Sequence, residues 1–114
     1  MGIIKKLFNT NSKITVISPQ EAKKMMSQSD NYILLDVRTR AEYDQARIEG
    51  AKSIPLDELN LRAPVELPDK NIPVFVYCHS GARAAKAADL LAGMGYTNIL
   101  NFGGIISWPY EKVK

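Results

Sequence analysis

Two short runs in this chain are apolar on both faces, and they constrain its architecture more than any other feature. They are Tyr32-Ile33-Leu34-Leu35-Asp36-Val37 and Val74-Phe75-Val76-Tyr77. A strand with one face in water alternates apolar and polar residues. These do not, so each needs cover on both sides, as a central strand of a parallel sheet has. Residues 14–17, 51–54 and 98–102 read as three further short strands. Between the strands lie helix signals. Ser18-Pro19-Gln20-Glu21 and Thr39-Arg40-Ala41-Glu42 are capping boxes, and Pro19 suits a first helical turn. Ala22, Met25 and Met26 give the first helix its apolar face, and the second is short, running to about Arg47. Residues 56–61 can form a helical turn or two. Pro64, Pro68 and Pro73 are expected to hold the next stretch out of regular structure. Residues 82–93 form a helix with Ala84, Ala87, Ala88 and Leu91 on one face, ended by a left-handed cap at Gly93 or Gly95. Gly103-Gly104 leads into a short helix carrying Trp108. Helices alternating with strands predict an α/β fold: a mainly parallel, five-stranded sheet flanked by helices.

The chain has 114 residues, which fits one domain, read as a tail over 1–13 and a folded unit over 14–114. With 46% hydrophobic and 24% charged residues, disordered and low-complexity classes are excluded. One cysteine and one histidine leave no internal disulfide, no paired-cysteine redox motif and no Cys/His metal cage, so neither metal nor cofactor is expected. The net charge of +3 suits small anionic substrates. Without a long Lys/Arg run or an aromatic-interleaved basic stripe, nucleic acid is not an expected partner. No segment approaches the roughly 20 apolar residues of a membrane span. At the start, only Ile3 and Ile4 precede Lys5-Lys6, unlike an export signal, and Lys6 stands where myristoylation wants Ser or Thr. The segment reads as a short amphipathic tail. An unpaired thiol without an export signal points to a reducing cytoplasm.

Cys78 is the candidate for chemistry. A lone cysteine after a buried strand is ordinarily a small core hydrophobe. Here, however, the strand ends at Cys78, a tight loop His79-Ser80-Gly81 follows, and a helix begins at Ala82. Backbone N–H groups of such a loop can converge as an anion nest, and the helix start adds free N–H groups and a positive dipole end. Helix N-termini and nearby cations favour a cysteine thiolate. Arg83, in the first turn, supplies a cation, and Gly81 permits a loop shape that a side chain would hinder.

The loop Cys78-His79-Ser80-Gly81-Ala82-Arg83 resembles the active-site loop of the rhodanese (thiosulfate sulfurtransferase) family. Leu34-Leu35-Asp36-Val37-Arg38 with Glu42-Tyr43 resembles its first signature. Ile48-Glu49-Gly50-Ala51 with Ile54-Pro55 resembles its second, and Gly95-Tyr96-Thr97-Asn98, Gly103-Gly104 and Trp108 its C-terminal pattern. The resemblance implies a three-layer rhodanese-like fold. It also implies a Cys78 nucleophile that takes sulfane sulfur from thiosulfate as a persulfide and passes it to cyanide or a thiol. Residues 79–83 (His79, Ser80, Gly81, Ala82, Arg83) would bind the substrate and hold the persulfide sulfur. A sulfur-relay protein could replace the small-molecule donor or acceptor, making the chain a sulfur carrier. A non-catalytic partner-binding module is a further alternative.

His79 is expected at the rim, since adjacent loop residues rarely face each other. Asp36 and Arg38 read as a buried ion pair, Glu42 as a helix cap, and Trp108 as core or a wall beside the loop. Arg47 stands where the family commonly has His and would bring positive charge toward the pocket. Phosphatases and arsenate reductases of related architecture separate Cys and Arg by five residues. Here four intervene, a narrower cradle suited to one sulfur, and phosphatase activity is expected to be low.

Overall fold

The computed structural model describes residues 11–114. The amphipathic segment expected before them lies outside the described residues. Five strands, β1 (Ile14–Val16), β2 (Ile33–Asp36), β3 (Lys52–Ser53), β4 (Val74–Cys78) and β5 (Ile99–Gly104), form one sheet in the order β1-β5-β4-β2-β3. Every pairing is parallel. Four helices connect them: α1 (Pro19–Ser27), α2 (Arg40–Gln45), α3 (Leu59–Glu66) and α4 (Ala82–Gly93).

The two apolar runs become β2 and β4, which pair with each other in the interior of the sheet. Their side chains divide by parity between two cores. Leu35, Val37, Val76 and Cys78 pack with Ala84, Ala87 and Leu91 of α4 and Leu59 and Ala63 of α3. Leu34, Phe75 and Tyr77 pack with Ala22 of α1, Phe102 and Trp108. This alternation buries both faces, as the sequence required.

The helix starts are built as read. Ser18 Oγ accepts the Glu21 N–H at 3.0 Å while Glu21 Oε1 accepts the Ser18 N–H at 2.9 Å. Thr39 and Glu42 repeat the reciprocal pair at 3.2 and 3.0 Å. At the end of α4 the Tyr96 N–H reaches Leu91 O and the Gly95 N–H reaches Ala92 O, both at 3.1 Å. This is a Schellman cap, and Gly95, at φ +100°, takes its left-handed position.

Four expectations change. α2 stops at Gln45, and Met25 turns out to solvent while Met26 packs inward. Pro64 lies inside α3. The carbonyl it strips of a partner belongs to Asn60, an exposed residue that water can serve. Burial of Leu59, Ala63 and Leu67 at a spacing of four holds the segment to the core. The hydroxyl of buried Tyr96 donates to Leu67 O at 2.6 Å and lies 3.0 Å from Ala63 O, capping the end of α3. Finally, β5 continues through both glycines to Gly104. Only a single 3₁₀ turn, Ile105–Ser107, precedes Trp108.

Candidate active site

Ligands of parallel α/β sheets bind beyond the carboxyl ends of the strands. Cys78 is the last residue of β4, which lies between β5 and β2. The loop that follows is shaped by its neighbour. Val76 is opposite Asn101 but Cys78 is opposite Gly104, so β5 carries one extra residue there. Gly103 takes φ +89° at this bulge, and its N–H is held by Asn101 Oδ1 at 2.9 Å. Gly104 then passes directly beneath the loop. A Cβ there would run into the His79 carbonyl and come within 2.6 Å of Ser80 Cα. The Ile106 N–H donates to His79 O at 3.2 Å and ties the loop down from the same side.

The loop turns back at Gly81, whose φ of +122° lies outside the usual range of side-chain-bearing residues. The turn aims the Gly81 N–H at Cys78 Sγ, 3.0 Å away. Gly81 is also the N-cap of α4, and no side chain caps that helix. The first turn of α4 therefore presents its backbone N–H groups and its dipole without a competing side-chain acceptor. Cys78 itself is buried, 1% exposed. It lies in the α4-side cluster rather than in an open cleft. The side chains of His79 and Ser80 face outward. Among the described residues no hydrogen bond joins His79 to Cys78.

Arg83 is not a free cation. Its Nη1 donates to Glu42 Oε1 at 2.7 Å and its Nη2 to Glu42 Oε2 at 3.0 Å. Glu42 thus serves two helices, closing the capping box of α2 and clamping the first turn of α4. The local sequence pattern accounts only for the cap. A signal did exist: an arginine in a first turn opposes the helix dipole and calls for an acidic partner. Arg83 is pushed further toward the charged state first by Glu42, with smaller contributions from the Cys78 sulfur and Asp36.

Hydrogen bonding from Arg83, assisted by Thr39, lowers Glu42 from its ordinary 4.5 to about 2. A depressed folded value adds stability above the unfolded value and loses it as pH falls through the folded one. Glu42→Gln should therefore lower stability at neutral pH by less than about 1 kcal/mol, as partly exposed pairs do. The gap from wild type should close as pH falls from 4.5 to about 2. Urea midpoints measured across that range check this. A gap independent of pH would mean the clamp is not electrostatic.

Asp36 and Arg38 form the expected buried pair, with Nη2 to Oδ2 at 2.7 Å and Nε to Oδ1 at 3.0 Å. Arg38 Nη2 also donates to Ala46 O at 2.6 Å. Burial, helped by Asp36, pushes the Tyr77 phenol upward, so it stays neutral and accepts the Ile48 N–H at 3.2 Å. Arg47 does not join the loop. Its backbone bridges Val113, and its guanidinium stacks 4.6 Å from the ring centre of Tyr43, which packs in the cluster opposite Cys78. Trp108 is core in that same cluster and not a wall of the loop.

Beside the loop lies an open groove of about 400 Å³, bordered by Val37, Thr39, Pro55, Leu56, Asp57 and Arg83. Among the described residues, no helix is long and apolar enough to cross a membrane.

The chain is similar to known proteins. The family model described as "Rhodanese-like domain" matches residues 18–109. The thiosulfate sulfurtransferase PspE of Escherichia coli is 41% identical over 80 residues, covering 70% of this chain and 77% of that protein. A sulfurtransferase of Allochromatium vinosum is 34% identical over 96 residues, covering 83% and 88%. A solved structure titled "rhodanese with anions from E. coli" superposes with a TM-score of 0.68 at 40% identity, covering 73% of this chain and 98% of that one. With the parallel sheet, the cysteine at the end of its middle strand and the match across most of the chain, the protein belongs to the rhodanese-like sulfurtransferase family.

Proposed function

We propose that the protein transfers sulfane sulfur from thiosulfate, through a persulfide on Cys78, to cyanide or a thiol. The observation that carries this reading is the Gly81 N–H aimed at Sγ at the uncapped start of α4. A group placed there holds negative charge on sulfur without a general base.

In the first half-reaction the Cys78 thiolate attacks the outer sulfur of thiosulfate. A sulfur–sulfur bond forms to Cys78, the bond to the sulfonate sulfur breaks, and its electron pair leaves on sulfite. The terminal persulfide sulfur carries the negative charge, held by the backbone N–H groups of residues 79–83. Cyanide then attacks that sulfur and leaves as thiocyanate, returning the electron pair to Cys78 as thiolate. Sulfite leaves without a proton, so the outward-facing His79 has no proton to supply. Arg83 fixes the first turn of α4 through Glu42 and places a positive charge near the sulfur. The spacing of four residues between Cys78 and Arg83 favours one sulfur over a tetrahedral phosphate. An unpaired thiol suits a reducing compartment, and this supports reading the protein as cytoplasmic.

Intact-mass measurement after thiosulfate treatment tests the reading. The protein should gain one sulfur atom, and cyanide should remove it with release of thiocyanate. A protein that stays at its original mass under excess thiosulfate is not a thiosulfate sulfurtransferase.

A further inference from the structure

The groove beside the loop is larger than thiosulfate or cyanide requires, each being an ion of a few atoms. It also continues along α4. The part near the loop shares Leu56 with a second recess of about 370 Å³ bordered by Lys86, Asp89 and Leu90. Cys78 does not line the groove, but the border residues Val37 and Arg83 come from the segments next to the cysteine loop. Val37 packs in the same cluster as Cys78, and its N–H donates to the carbonyl of Tyr77 at 3.1 Å. The Leu56 N–H donates in turn to Val37 O at 3.1 Å. Val37, Pro55, Leu56 and Leu90 give the groove apolar walls.

Its charge is equally telling. Arg83, the cation nearest the loop, is compensated by Glu42. Asp57 borders the part near the loop, Lys86 and Asp89 border the recess farther along, and none of the three makes an ion pair among the described residues. Such a lining gives an anion no advantage, whereas an apolar group gains by leaving water.

We propose that this groove is the acceptor subsite, and that the acceptor it fits is an uncharged thiol with an apolar body. The proposal rests on the persulfide reading above and names the substrate class of its second half-reaction. The acceptor thiol gives its proton to solvent, and its sulfur attacks the terminal persulfide sulfur. The bond to Cys78 breaks, its electron pair returns to Cys78 as thiolate, and the acceptor leaves as a persulfide.

The test uses protein loaded with thiosulfate and freed of excess donor. Discharge is followed with ethanethiol, propanethiol, butanethiol, mercaptoacetate and cyanide. The half-saturating concentration should fall about fourfold per added methylene. Mercaptoacetate should be a poorer acceptor than ethanethiol. Leu56→Ser and Leu90→Ser should each flatten the chain-length series and lower the rate with butanethiol relative to cyanide. Leu90 is 36% exposed, so its exchange keeps the test available should Leu56→Ser not fold. Equal half-saturation across the three thiols, in a protein that cyanide discharges, would overturn the acceptor assignment alone. Failure to load sulfur, seen before any thiol is added, would remove the persulfide reading and this proposal with it.

Discussion

Exchanging Cys78 for serine is expected to abolish sulfur loading while leaving the fold intact. The hydroxyl is slightly smaller than the thiol and can accept the same N–H from Gly81, which lies 3.0 Å from Sγ. The buried site therefore keeps a partner for that donor and does not orphan it. The small volume loss in the α4-side cluster should cost about 1 kcal/mol. The chemistry has no such tolerance. A serine hydroxyl stays protonated near neutral pH and forms no persulfide. Because Cys78 is the only cysteine in the chain, no other thiol can replace it. Mass analysis should show no added sulfur, with a cooperative unfolding transition whose urea midpoint falls by no more than about 1 M. A Cys78→Ser protein that still gains sulfur would place the reactive group elsewhere.

Placing alanine at Gly104 should cost nearly as much activity through geometry alone. The added Cβ would collide with the His79 carbonyl and crowd Ser80 Cα at 2.6 Å, both backbone atoms that no side-chain rotation can relieve. Either the loop lifts or the end of β5 drops. Overpacking of this kind costs about 1–3 kcal/mol. A shift of about 1 Å at the loop would move the Gly81 N–H off the sulfur and lower turnover on the order of 100-fold. Thiosulfate turnover and urea midpoints measured together check this. Gly50→Ala is a useful contrast, because its Cβ would meet nothing within 4 Å although its φ is +87°. Its defect should be confined to stability. Wild-type turnover in Gly104→Ala would show that the loop tolerates displacement.

The sheet was readable because its constraints are local. Residues 32–37 and 74–77 lack alternation, and only a doubly covered strand accepts that. The capping boxes at Ser18 and Thr39 were readable for the same reason, since each closes within four residues. Pro64 misled because its local penalty is outweighed by distant partners, chiefly the Tyr96 hydroxyl, which lies 3.0 Å from Ala63 O across 33 residues of chain, and burial of Leu59 and Ala63. At the candidate site, the loop from Cys78 to Arg83 could be drawn from spacing and glycine placement. The Glu42 clamp could not, because the two residues are 41 apart and Glu42 already had a sufficient local role. The bulge at Gly103 was hidden likewise. A pair of glycines says that backbone freedom is needed without saying which neighbour demands it.

The strand order carries a consequence for biosynthesis. Within the sheet, among the described residues, β1 is an edge strand paired with β5, and β5 separates it from β4. A growing polypeptide on the ribosome thus exposes β1 and one edge of β4 until the segment ending at Gly104 has been translated. Non-local parallel pairing of this kind is slow to form and prone to association while it waits. The floor of the cysteine loop arrives with that same segment, so the nascent thiol stays unsheltered until the sheet closes.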